Sequence, residues 1–148
     1  MTFSEFKTDV CSKSVNRENL DNISFLENRV YSALMYIARK TVPTYLVFDG
    51  EISEPIFRRV TNDYVLKYPN KPSSDTDVIT IDNTLLDAAA YHVLAGIETA
   101  RAPQYMKMCN DIIDEYDRNL IQDDISTFNV VPADFEGGDY LNVIYTED

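Results

Sequence analysis

His92 is the single histidine among 148 residues, and a search for bond chemistry starts there. An imidazole beside a serine or cysteine can act as general base for a nucleophile. This one stands inside Thr84-Leu-Leu-Asp-Ala-Ala-Ala-Tyr-His-Val-Leu-Ala95. Apolar neighbours at helical spacing point there to a packed or hydrogen-bonded ring, and nothing nearby in sequence marks a nucleophile. Asp111, Asp114, Glu115 and Asp117 offer carboxylate oxygens to a hard cation. Helical spacing spreads them around more than one face, and no EF-hand loop pattern is present. They read as a solvated acidic face, partly balanced by Arg118 four residues after Asp114. The glycines, Gly50, Gly96, Gly137 and Gly138, are too few for a loop that cradles phosphates. Cys11 and Cys109 match no metal-ligand spacing and read as packed or idle thiols. No catalytic, metal or cofactor site is expected, and the chain is not expected to be an enzyme.

Arg39, Lys40, Arg58 and Arg59 form the one basic concentration. If the segment around Arg58 packs by the end of the helix carrying Arg39, the four make a small positive patch. That patch would suit the acidic surface of a neighbouring copy, a contact between unlike faces that closes into rings or runs into filaments. Ordinary pairing with Glu51, Glu54 and Asp63 within the chain is the rival reading.

The elements that position these groups are mainly helical. Ile23, Leu26, Val30, Leu34 and Ile37 fall at spacings of 3, 4, 4 and 3, which predicts a helix from about Asn22 to Thr41. Ser24 with Glu27 offers a capping box, with Asp21 and Asn22 as rival caps. Arg39 and Lys40 oppose the negative end of that helix, and Pro43 stops it. Thr44 to Gly50 is a short β-prone run, and Asn62-Asp63 suggests a β-hairpin near 56–68, with arms near 56–61 and 64–68. After a proline loop at 69–77 and an extended piece at 78–81, Asp82 is placed as N-cap of a helix reaching about Ala100. Its apolar face is so broad that the helix must lie centrally or be covered by another subunit. Pro103 then opens a helix that buries Tyr105, Cys109, Ile112, Tyr116 and Leu120.

Residues 1–21 are polar without a sustained period and read as an N-terminal extension. Residues 125–148 read as an acidic C-terminal arm. Phe128, Val130, Val131 and Phe135 make one apolar patch on it; Tyr140, Leu141, Val143, Ile144 and Tyr145 make another, across the joint Gly137-Gly138. Such patches either return to cover the domain or add a strand to a neighbour. The central unit, 22–124, is long enough for one hydrophobic core. No apolar run approaches the roughly 20 residues needed to cross a bilayer, and no signal-peptide core is seen, so an intracellular protein without a membrane segment is expected.

Charge is uneven. Residues 102–148 carry eleven acids against two bases, a net of −9, while residues 1–101 carry fourteen against eleven, a net of −3. An acidic surface of this kind disfavours gripping a phosphate backbone. It also permits a second class of function, a small inhibitor that imitates DNA charge and occupies a nucleic-acid enzyme.

The order of hairpin, proline loop, acidic cap, alanine-rich helix, break and amphipathic helix resembles the head–tail connector (adaptor, neck-ring) proteins of tailed bacteriophages. The resemblance is carried by Tyr64-Val-Leu-Lys-Tyr-Pro-Asn-Lys-Pro72, by Ile79 to Gly96, and by Tyr105 to Ile121 with Ile112-Ile-Asp-Glu-Tyr116. It implies a virion subunit that forms a dodecameric ring beneath the portal protein, joins it to the tail or further neck proteins, and lines a channel. DNA passes through that channel without sequence-specific binding. The N-terminal extension and the C-terminal arm lie outside the resemblance; from their residues alone, the basic patch and the two apolar patches of the arm are the expected subunit and partner contacts. The expected fold is mainly α: a small bundle of three principal helices with an inserted β-hairpin and extended N- and C-terminal arms.

Overall fold

Three consecutive alanines, Ala88, Ala89 and Ala90, are fully buried on α3 (Asn83–Ile97), where small side chains let neighbouring helices approach from several sides. A computed structural model of the chain describes residues 1–17, 19–49 and 54–128, with side chains through Asn119. Besides α3 it holds α1 (Phe3–Lys13), α2 (Leu26–Lys40), β1 (Val47–Asp49), β2 (Ile56–Arg59), β3 (Tyr64–Lys67) and α4 (Ala102–Phe128). Short 3-10 turns stand at Leu20–Asn22, Thr44–Leu46 and Thr99–Arg101. The fold is mainly α with a small antiparallel sheet inserted between α2 and α3.

α3 is the central helix: α1, α2 and α4 all pack on it. Its broad apolar face is therefore covered within one molecule, and Leu85, Ala88, Ala89, Ala90 and Leu94 are fully buried without help from another copy. Of the two explanations open for that face, the internal one holds.

Residues 1–21 are not an extension. Thr2 and Glu5 form a capping box, with Glu5 N–H donating to Thr2 Oγ1 at 3.2 Å and Thr2 N–H donating to Glu5 Oε2 at 2.8 Å. The helix they start buries Phe3, Phe6 and Val10 in the main core. Those three residues at spacings of 3 and 4 fill only two turns, too short a period to stand out among charged neighbours. The chain before α1 also pairs with the loop preceding α3, through a bridge between Thr2 and Val78 and a bond from Ile79 N–H to Met1 O of 2.9 Å.

α2 starts later than its apolar spacing suggested, and none of Asp21, Asn22 or Ser24 caps it. The N-cap is Phe25, in the left-handed region at φ 57° with no side-chain bond. Arg29 braces that turn, its Nε donating to Ser24 O at 3.3 Å.

The hairpin forms as β2 and β3, slightly shorter than its predicted arms, and β1 joins it to give a sheet in the order β1-β3-β2. Thr61 shapes the hairpin turn in place of a glycine, its Oγ1 accepting from Asp63 and Tyr64 N–H at 3.2 Å each. A second, smaller core lies between the end of α2 and the sheet, built on Ala38, Val42, Leu46 and Leu66.

α4 buries Tyr105, Cys109 and Ile113; Ile112 is only partly buried. A straight repeat of four residues thus replaces the mixed repeat read from sequence. At 27 residues α4 is about 40 Å long, against about 22 Å for the 15 residues of α3. α3 begins opposite Tyr116 and α2 ends opposite Asp117, so the last eleven residues of α4 run about 16 Å past the start of α3. The helix includes Phe128, so it occupies the first residues assigned to the C-terminal arm; Leu120's side chain and residues 129–148 lie outside the described part.

If α1 is integral, Phe6→Ala lowers unfolding free energy by about 3–5 kcal/mol in a urea titration. A change below about 0.5 kcal/mol would return residues 1–13 to the status of an appendage.

Candidate functional site

The hairpin packs beside the end of α2, so the four basic residues gather at one end of the molecule. They do not play equal parts. Arg58, half-buried, donates from Nε to Ala38 O and from Nη2 to Thr41 O, both at 2.8 Å. These carbonyls close α2, where acceptors lack helical partners and a cation is favoured. Arg58 is therefore a brace that fixes the sheet to the helix end. Arg39 lies over the Phe57 ring at 5.7 Å, and Lys40 over the Tyr36 ring at 5.7 Å. Arg59 donates to Asn62 O at 3.0 Å. Arg39, Lys40 and Arg59 remain exposed. Among the described residues none of these three has a carboxylate within ion-pair distance; Glu54 pairs with Lys67 at 2.9 Å. Phe128 is the last residue of α4. Val130, Val131, Phe135, Tyr140, Leu141, Val143, Ile144 and Tyr145 fall outside the described residues.

Behind this surface stands a polar node. Asp82 occupies the N-cap position of α3 as its spacing predicted, but its carboxylate makes no capping bond. It turns instead to the segment after α2, accepting from Thr44 Oγ1 at 2.5 Å, Thr44 N–H at 3.2 Å and Tyr45 N–H at 3.1 Å. The Tyr116 hydroxyl donates to it at 2.7 Å and lies 3.1 Å from Val42 O. Burial, with the Asp82 charge beside it, pushes the Tyr116 phenol well above its ordinary value, so it stays a donor. Two further buried contacts follow the same plan. Thr41 Oγ1 bonds Asp117 Oδ1, and Ser14 Oγ bonds Glu98 Oε1, whose Oε2 accepts from Tyr105 at 2.9 Å. Asp117 therefore belongs to the interior and not to the acidic face, which retains Asp111, Asp114 and Glu115; its ion pair is Lys107 to Asp111, at 2.7 Å.

His92 is half-buried, its ring 4.8 Å from that of Tyr36. His92 also lines a small cleft of about 230 Å³ with Asn28, Arg29, Ser32, Val93 and Gly96. Arg29 Nη1 donates to Gly96 O at 3.1 Å, and a Cβ at Gly96 would stand 3.1 Å from that same nitrogen, which favours glycine there. Ser32 is the residue sequence reasoning missed, because sixty positions separate it from His92 and only the packing of α2 on α3 unites them. Among the described residues no carboxylate lines this cleft to orient the imidazole as a base. Nor do three or more of His, Cys, Asp and Glu gather among them as a metal would need. Among them, too, no helix is long and apolar enough to cross a membrane.

No protein-family model, curated protein or solved structure gives a significant match to this chain.

Tyr116→Phe and Asp82→Asn should each lower stability by about 1–3 kcal/mol. The double variant should lose less than the sum, and full additivity would show that the node is not one unit. Burial lowers the His92 pKa below its ordinary 6.5. The unfolded chain then takes the proton more readily, so His92 favours folding fully above pH 6.5. That contribution falls as the pH drops from there to the folded pKa. The urea midpoint of His92→Gln should therefore fall less between pH 7 and pH 5 than that of the parent; an equal fall would remove His92 from the acid response.

Proposed function

We propose that this chain is a structural subunit of a phage head-to-tail connector, a neck ring that bridges portal and tail and surrounds a DNA passage. The resemblance supplies that reading, and the element order that carries it is present as folded structure, from β2 and β3 through the proline loop to α3 and α4. The covered face of α3 gives assembly no support, so contacts between copies must be sought elsewhere. The observation that carries the reading is at the sheet end. There α4 continues about 16 Å past the start of α3, and Arg39, Lys40 and Arg59 are exposed with no acidic partner among the described residues. The buried carboxylates Asp82, Glu98 and Asp117 all hold elements together, which suits a rigid building block. An acidic wall would repel the phosphate backbone and let DNA slide.

The reading predicts that the purified protein binds its cognate portal ring and sediments with it as a ring of copies, even if it is monomeric alone. A strict monomer that binds neither portal nor tail proteins would overturn it. Tight, steeply salt-dependent binding to a polymerase or nuclease, with no portal binding, would favour the DNA-imitating inhibitor instead.

A further inference from the structure

Between α2 and the chain that follows β3 lies a cleft of about 480 Å³, distinct from that of His92. Tyr31 of α2 lines it, with Lys67, Tyr68, Asn70 and Lys71 from the end of β3 and the proline loop. Tyr68 is 42% exposed and Tyr31 only half-buried, so aromatic surface is left open there. The Tyr68 ring meets Phe57 edge-on at 5.1 Å, and the Arg39 guanidinium lies over Phe57 at 5.7 Å. Cations and rings thus follow one another from Lys71 through Tyr68 and Phe57 to Arg39.

The charges along this path are not spent within the molecule. Lys7, Lys13 and Lys107 are all paired with aspartates, and Glu54 neutralises Lys67 at 2.9 Å. Lys71 and Arg39 are exposed, and neither has a carboxylate within ion-pair distance among the described residues. Open aromatic faces take planar rings, and uncommitted cations take phosphate. A ligand that offers both is a nucleotide. A free nucleotide carries phosphate at one end, whereas a strand carries it on either side of each base. Cations on both sides of the rings fit the strand. A duplex keeps its base faces stacked inside, out of reach of a tyrosine. A proline-rich peptide would lie on the tyrosines but would leave Lys71 and Arg39 without use.

We propose that this cleft and its path to Arg39 bind single-stranded nucleic acid, with a base on Tyr68 and phosphates on Lys71 and Arg39. The net charge of −12 keeps such binding weak. Screening confines each contact to charges within about 8 Å at physiological salt, so the local cations decide it. The site does not rest on the neck-subunit reading.

Fluorescence anisotropy of the full-length protein with a labelled ten-nucleotide thymidine strand tests this. The parent should bind, with log K falling against log salt at a slope of about −1.4 for two phosphates. Tyr68→Ala should weaken binding about tenfold, and Tyr68→Phe should stay within about twofold of the parent. Lys71→Gln should weaken it about threefold and flatten the slope by about 0.7. Circular dichroism checks that each variant folds, and exposed Lys71 keeps the test open should Tyr68→Ala fail to fold. An abasic strand of the same length and a duplex should each bind about fivefold more weakly. No binding by the parent, equal binding of the abasic strand or the duplex, or parental affinity in Tyr68→Ala or Lys71→Gln would overturn the proposal. So would displacement of the strand by equimolar thymidine monophosphate, or capture of a proline-rich peptide in place of the strand. Portal binding by Lys71→Gln, measured alongside, reports on the neck reading separately.

Discussion

The carboxylate of Asp82 and the hydroxyl of Tyr116 hold together two parts that have separate cores. Tyr116 packs against both the main core and the smaller one under the sheet. Asp82 fixes the segment after α2 through Thr44 and Tyr45, at the point where α3 begins. Arg58, through two carbonyl contacts, and the small apolar core around Val42 and Leu66 hold the sheet to the end of α2 as well. The Asp82–Tyr116 pair thus joins the start of α3, the segment after α2 and α4 at one point. Removing either partner leaves a polar group facing a site that water fills poorly.

The same logic recurs at the other end of the bundle. Glu98 ties the end of α1 to the corner between α3 and α4 through Ser14 and Tyr105. Beside the Asp82 node itself, Thr41 and Asp117 join α2 to α4. Each contact joins elements far apart in sequence, and each uses an acid that simple charge counting assigns to the surface. Their shared effect is to fix how the helices pack, while apolar burial around α3 supplies most of the driving force. With α3 enclosed, an assembly must use surfaces other than its apolar face, and the exposed cations Arg39, Lys40 and Arg59 are one such surface.

Much of this was legible in the sequence because its period is strong. The helical stripes of α2, α3 and α4, the hairpin around Asn62-Asp63 and the Asp82 boundary all follow from spacing and turn chemistry. α1 was not, since Phe3, Phe6 and Val10 are only three apolar positions; the Thr2–Glu5 capping box was the signal that could have found it. Phe25 as a left-handed N-cap has no sequence signature, because a bulky aromatic is a poor choice for that backbone. The burial of Asp117 and the meeting of Ser32 with His92 arise from tertiary packing alone, and no local pattern encodes them. The basic patch was legible as a condition, that the hairpin lie against the end of α2. Arg58 meets that condition by giving up its own charge to the helix carbonyls.

The central proposal is that this molecule works as one of many identical copies in a ring around a channel. Electron-microscopic imaging of the protein bound to its portal tests it most directly. The account predicts a closed ring of copies of this chain seated on the portal. A portal carrying no added ring of this chain would contradict it.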